Sequence, residues 1–264
     1  MKLKRFFALL LVVCLALTMT ACKKTGGAYT LVETLSEGTF ALGFRHEDPI
    51  ADYVEAAIKV LAAGGKVSEL EMKWFNGNTT DFPKDSGALQ ELPPATPRTL
   101  IMGLDPDNFP MSYVSNDVYM GFDVELARAV CELLGWQLQF NEIDDESRAY
   151  VELNSGNVDV VWGGMILNPD EKLFDVRCPY MKSGCVLIVR NDSKLANIHK
   201  LEGKIIGMNS GARYLDALKE TELIYTAGQI QITGEGNDTV FDWLFKGQFD
   251  AIVTDAVTAK YFMR

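Results

Sequence analysis

Short apolar runs and helical periods alternate along most of the chain. Thr99 to Leu104 predicts a strand. From Phe122 to Leu134 the residues Leu126, Ala127, Val130, Leu133 and Leu134 share one helical face, and Gly135 stops the helix. Trp136 to Phe140 alternates as a strand, Arg148 to Leu153 predicts a short helix ending near Gly156, and Val158 to Trp162 predicts a buried strand running into Gly163-Gly164. Further strands are predicted at Val186 to Arg190, Lys204 to Met208, Gln229 to Ile232 and Ala251 to Thr254, with helices such as Tyr214 to Lys219 and Thr239 to Phe245 between them. Near the front lie a strand (Thr39 to Phe44), a long helix (Pro49 to Ala63, closed by Gly64-Gly65) and a short helix ending at Trp74-Phe75. Strands alternating with helices predict α/β sheets, with any ligand at the carboxyl ends of strands. Asn76 to Arg98 breaks the pattern: it holds Pro83, Pro93, Pro94 and Pro97, has no sustained period, and predicts a linker.

Composition changes this picture at the front end. Lys2, Lys4 and Arg5 precede an apolar run, Phe6 to Leu17, that is too short to span a bilayer comfortably, so residues 1–21 have the grammar of an export signal. Met19-Thr20-Ala21-Cys22 resembles a bacterial lipobox, with Met19 where leucine is usual. Cleavage there would leave Cys22 carrying lipid; ordinary cleavage beside a chance cysteine is the alternative. About 240 residues then remain, enough for one large or two modest domains with a real core. Formal charge is −11, and removal of the basic leader makes the rest more acidic still. Such a chain is a poor partner for nucleic acid or anionic lipid headgroups. Cys131, Cys178 and Cys185 show no CxxC and no metal-like spacing. Cys131 falls on an apolar helical face, as core; Cys178 and Cys185 either stay free or pair. His46 and His199 are the two histidines, and no Walker loop, nucleophile elbow or HExxH is present, so no catalytic residue, metal or cofactor is nominated.

From Thr99 onward a series of strings carries a resemblance: Gly103-Leu104-Asp105, Phe109-Pro110-Met111-Ser112-Tyr113, Gly121-Phe122-Asp123-Val124-Glu125-Leu126-Ala127, Asn157-Val158-Asp159-Val160, Trp162-Gly163-Gly164-Met165, Pro179-Tyr180 and Asp250-Ala251-Ile252-Val253-Thr254-Asp255. In that order they resemble the amino-acid-binding (family 3) solute-binding proteins of ABC importers. The resemblance implies an α/β, two-lobed periplasmic-binding-protein type II fold with a hinged cleft. Family members continue past the segment like Asp250 to Phe262, and the missing pieces resemble the front of this chain. Ala28 to Val32 looks like an edge strand, Phe40 to Arg45 like the strand returning to the first lobe, and Asp52 to Gly64 with Lys73-Trp74-Phe75-Asn76 like the closing helices. A circular permutation follows, with the linker joining the family's usual ends; roughly 20 flexible residues reach ~25 Å. Two truncated copies in tandem, or an unrelated N-terminal domain, are the alternatives. The expected organisation is a signal at 1–21, a tether and edge strand of the second lobe at 22–38, the permuted part of the first lobe at 39–76, a linker at 77–97, the main first lobe at 98–185, and a hinge strand with the second lobe at 186–264. Crossing strands near Val186 to Val189 and Ala41 to Phe44 are expected to form the hinge.

The resemblance also implies a site. Asp255 falls where the family holds the ligand ammonium, and Gly164 where its backbone comes close to the ligand. The carboxylate-gripping arginine falls at Glu171, the second-lobe hydroxyl residue at Ala212 beside Arg213, and the stacking aromatics near Asn108 and Glu146. Asp105 and Ile166 complete the candidate set. The pocket is thus expected to be more acidic and less aromatic than usual. Either the ligand carboxylate moves to the helix start at Gly211-Ala212-Arg213, or the ligand carries a cation held by Asp255 with Glu171 or Glu146. The function implied is an extracytoplasmic solute-binding lipoprotein, a monomer anchored to the bacterial cell membrane through Cys22. It would close on an amino acid or related small polar or cationic solute and deliver it to ABC permease subunits. A sensor without a transport role, or a lyase on the same fold, are the alternatives.

Overall fold

The computed structural model describes residues 28–143, 146–168 and 170–263. Ten of its strands form two five-stranded sheets, each the floor of one lobe, and three more form a small separate sheet. In the first lobe β3 (Thr99–Leu104) runs parallel to β7 (Gln137–Glu142) and β8 (Val160–Val161), while β2 (Gly38–Phe44) lies antiparallel to β8 and to β9 (Asp175–Ser183). The order is β7-β3-β8-β2-β9. In the second lobe β11 (Ile205–Asn209) runs parallel to β12 (Gln229–Thr233) and β13 (Ala251–Asp255). There β10 (Cys185–Arg190) lies antiparallel to β13 and to β1 (Tyr29–Thr34), giving β12-β11-β13-β10-β1.

The front segment is therefore woven into both lobes rather than folded apart. β1 pairs with β10 from Tyr29↔Arg190 to Thr34↔Val186, on the edge of the second sheet. β2 enters the first sheet, and its apolar residues Phe40, Leu42 and Phe44 are fully buried. Helix α1 (Ile50–Ala63) turns Ile50, Val54, Ala57 and Ile58 inward, and α2 (Lys66–Phe75) buries Val67, Leu70 and Trp74. Both join a core shared with α3 (Phe122–Leu134), whose bounds match the periodicity. Trp74 meets Tyr113 edge-on at 6.2 Å. Shorter helices are α4 (Ala149–Ser155), α5 (Ala212–Lys219), α6 (Leu223–Thr226), α7 (Asn237–Lys246) and α8 (Ala256–Phe262). A small meander of β4 (Asp107–Asn108), β5 (Ser112–Ser115) and β6 (Val118–Met120) tops the first lobe.

Three expectations change. The strands expected to cross between lobes, Val186 to Val189 and Ala41 to Phe44, each lie within one sheet. The crossings are the short joins just beyond them: Leu35 to Glu37 between β1 and β2, and Gly184 between β9 and β10. The joins touch, because the Leu35 and Ser36 amides donate to the Cys185 carbonyl at 2.8 and 3.2 Å. Gly184 has φ 137°, and a Cβ there would fall 2.1 Å from the Ser36 carbonyl oxygen, so only glycine fits between the strands. Strand β9 was not expected: Pro179 sits inside it and its register shifts opposite Phe40/Leu42, which hides the alternation.

The third change concerns the linker, which is laid down as a strap on the first lobe. Glu71, 3% exposed, accepts from the Thr79 and Thr80 amides at 2.8 and 2.6 Å. Phe82 stacks flat on Tyr180 at 5.0 Å, the Asp81 amide donates to the Tyr180 carbonyl at 2.7 Å, and the Trp136 indole donates to the Thr96 carbonyl at 2.9 Å. Isolated anchors of this kind leave no period to detect. Among the described cysteines, Cys131 and Cys185 are buried, Cys178 is partly buried, and none of the three is in a disulfide.

Candidate functional site

Asp105, just past the carboxyl end of β3, comes within electrostatic reach of Asp255 at the carboxyl end of β13, where the strand logic of α/β folds places a ligand. On the first-lobe side the quoted strings interlock through buried polar groups. Asn108 donates from Nδ2 to the Gly164 carbonyl at 2.8 Å, and Ser112 donates to the carbonyls of Asp105 and Gly163 at 2.6 and 3.0 Å. Asp123, fully buried at the start of α3, accepts from the Tyr180 hydroxyl at 2.7 Å. Burial pushes its carboxyl up to about 7, against the opposing pull of that hydroxyl. Gly164 has φ 70°, and a Cβ there would lie 2.5 Å from Asn108 Nδ2 and 2.8 Å from the Met111 Cβ. Its lack of a side chain thus serves packing of the loop onto Asn108 and Met111.

Between the lobes the contacts are direct. Asn237, 1% exposed at the start of α7, donates to the Asn108 Oδ1 at 3.4 Å and the Phe109 carbonyl at 3.3 Å. Thr258 on α8 donates to the same Phe109 carbonyl at 3.3 Å. The Phe109 ring meets Tyr261 edge-on at 4.8 Å and Phe262 at 5.5 Å. The two lobes are in contact along this seam.

On the second-lobe side sits a buried ion pair. Asp255 ends β13 and is 0% exposed. Arg213, in the first turn of α5, donates from Nε to Oδ1 at 3.2 Å and from Nη2 to Oδ2 at 2.8 Å, and the Tyr214 hydroxyl donates to Oδ2 at 2.7 Å. This is a charge-assisted fork of the strong kind. Asp105, across the seam after β3, is pushed up to about 6 by burial, with Arg213 opposing the rise. The cleft therefore brings the acidic groups of Asp105 and Asp255 around the Arg213 cation.

Residues 100–259 match the model of the bacterial extracellular solute-binding proteins, family 3. The chain belongs to this family. Among curated relatives, the arginine-binding extracellular protein ArtP of Bacillus subtilis (strain 168) is 30% identical over 167 residues, 62% of this chain and 64% of that protein. A probable histidine-binding protein of Campylobacter jejuni is 27% identical over 170 residues, 64% of each chain. The matched segment thus spans less than two thirds of either relative. Among solved structures, the ancestral amino-acid-binding protein AncCDT-1, a precursor of cyclohexadienyl dehydratase, is 30% identical with a TM-score of 0.49, covering 62% of this chain and 73% of that one.

Within this family 3 chain the candidate residues fall into groups. Asp105, Arg213 and Asp255 share one electrostatic neighbourhood, and Asn108 and Gly164 bond to each other beside it. Ala212 opens α5, next to Arg213. Ile166 bridges to Phe40, and its side chain packs where a Gly38 Cβ would sit, at 2.7 Å. It lines an open groove of about 850 Å³ by the crossings, with Glu37, Thr39 and Lys182. Glu171 lies in a turn, where its Oε1 accepts from the Lys172 and Leu173 amides at 2.7 and 2.8 Å. The Glu146 side chain and Cys22 lie outside the described residues. Sequence reasoning missed Tyr214, Asn237 and Phe109. Phe109 stands beside the expected aromatic position, and its ring packs against the other lobe.

Proposed function

We propose that this family 3 protein captures a small cationic amino acid or amine outside the cytoplasm and passes it to an ABC permease, held at the membrane by lipid on Cys22. The observation that carries the reading is the pair of carboxylates, Asp105 partly buried and Asp255 fully buried, brought from opposite lobes to one electrostatic neighbourhood just past the carboxyl end of β3 and at that of β13. Two acids in a water-poor crevice select a positive group and disfavour an anion. A solute bridging them would favour contact between the lobes and shift the population toward closure. Binding is favoured over catalysis because both Asp255 oxygens are already engaged by Arg213 and Tyr214. The test is calorimetric titration of the detergent-solubilised full-length protein with arginine, lysine, histidine, glutamate and small amines. Cationic solutes are expected to bind and glutamate is not; tight binding of glutamate would refute the reading.

The permuted chain order belongs to the same reading. Its support is that β1 and β2 supply an edge strand to the second sheet and an inner strand to the first, while α1 and α2 complete the first core and the strap joins them to β3. A rearranged gene that places residues 28–76 after residue 264 is expected to fold and to keep the solute profile. An unfolded product would count against it.

A further inference from the structure

The surroundings of the Arg213 guanidinium are those of a receptor for a cation. Asp255 offers both oxygens from a fully buried position. The Tyr214 ring lies under the guanidinium, 4.6 Å from its centroid, and the Tyr214 oxygen accepts from Nη2 at 2.9 Å. A carboxylate fork, an aromatic face and a hydroxyl are what recognise a guanidinium or ammonium group from outside. Here the group comes from the chain itself. Its side chain is 14% exposed and that of Asp255 is not exposed at all, so there is no room at Asp255 for a second cation while Arg213 stays.

We propose that Arg213 is a tethered internal occupant of the solute site, filling at Asp255 the place a solute's cation would take, so that a cationic solute binds by displacing it. This rests on the reading of the cleft as a cation site and adds how that site is kept filled before solute arrives. The tether makes Arg213 a competitor at high local concentration, and only a solute that outcompetes it can enter. Exchange also preserves charge, because one cation leaves the buried carboxylate as another arrives, and Asp255 is never left buried and unpaired. Asp105 adds to the selection, since it lies within electrostatic reach of the Arg213 guanidinium and of Asp255. A solute that also carries a carboxylate has an advantage over a plain amine, for the released guanidinium can then pair with it.

The experiment compares the full-length wild type with R213Q and R213K by titration calorimetry, using L-arginine and methylguanidine as probes. R213Q is expected to bind methylguanidine at least tenfold more tightly than wild type, and L-arginine more tightly by a smaller factor, because the solute carboxylate loses the released guanidinium as a partner. R213K keeps a tethered cation without the fork and is expected to gain less. In the unmodified protein, the Arg213 Nε–H resonance is expected to be protected from exchange while paired and to lose that protection when L-arginine saturates the site. This measurement stands even if R213Q does not fold. Wild-type binding that R213Q leaves unchanged or weakens would overturn the proposal while the cation-site reading survives, as would Arg213 protection that persists at saturation. Failure of wild type and of folded R213Q to bind either probe would overturn both.

Discussion

The two lobes share one strand plan and use buried polar groups for opposite ends. Each sheet has a central strand with parallel neighbours on both sides, an antiparallel strand beyond, and an antiparallel edge: β7-β3-β8-β2-β9 in the first, β12-β11-β13-β10-β1 in the second. The two crossings exchange these parts, since each lobe's edge strand leads into the other lobe's inner antiparallel strand. Beside the cleft, the first lobe's buried polar residues tie neighbouring segments together: Asn108 donates to the Gly164 carbonyl, and Asp123 accepts from the Tyr180 hydroxyl. In the second, Asp255 and Arg213 hold charge. The first kind of burial is met by neutral hydrogen bonds and the second needs a counter-ion, so the lobes should respond differently to substitution and to pH.

The largest expected effect breaks the charged side. Asp255→Ala leaves Arg213 in its place without its main partner, and removal of one member of a buried pair destabilises by about 3–5 kcal/mol. Urea denaturation is expected to show that loss. A drop below 1 kcal/mol would mean that the pair is not desolvated as the contacts imply.

Next is the strap. Phe82 is 7% exposed and stacked on Tyr180. Phe82→Ala is expected to lower stability by about 3 kcal/mol, in the range for truncating a buried aromatic. A free linker would show no change, so the same denaturation assay separates a strap from a tether.

The contrast also marks where the sequence is legible. Helix α3 comes out of periodicity because it buries one regular face, and the strands β3, β10, β11 and β13 come out as short apolar runs because they are buried along most of their length. The meander β4 to β6 has strands of two to four residues, too short for any period. The strap is fixed by single anchors, and β9 is interrupted by Pro179 and by Cys178 at φ 50°. For the site, residue types and positions were visible while partnerships were not. Arg213 and Asp255 stand 42 positions apart, and nothing in either neighbourhood announces the fork. Nor does the string around Glu171 show that its carboxylate closes its own turn.

A smaller effect sharpens the first-lobe side through pH. The Asp123 carboxyl rises to about 7 on folding, above its ordinary value of 3.8, because burial disfavours the anion. Between those values the folded state keeps a proton that the unfolded chain has lost, so stability falls as pH rises from about 4 to 7. Asp105, raised to about 6, acts in the same direction. Asp123→Asn keeps an acceptor for Tyr180 and has no proton to lose. Its denaturation midpoint is expected to vary less between pH 5 and 8 than that of wild type, and an unchanged slope would assign the pH dependence elsewhere.

The smallest effect tests an exposed counterpart of the buried pair. His46 Nδ1 lies 2.6 Å from Asp175 Oδ1, and Nε2 lies 2.8 Å from the Lys172 carbonyl, with half of the imidazole in solvent. The Lys172 carbonyl and then the Asp175 carboxylate raise the imidazole pKa above its ordinary 6.5, and the same contact lowers that of Asp175. A raised histidine contributes stability that is full below the unfolded pKa and disappears as pH rises through the folded one. The expected loss therefore lies above pH 6.5, beyond most of the window in which Asp123 acts. Water and salt screen this pair, whereas the Arg213–Asp255 pair is shielded from both. A two-dimensional NMR titration is expected to place the His46 pKa above 6.5 in low salt and to bring it back toward 6.5 in 1 M NaCl. The Arg213 Nε–H resonance should not move between the two salts. A His46 pKa that ignores salt would mean that the imidazole is held by the carbonyl and the geometry of its turn rather than by charge.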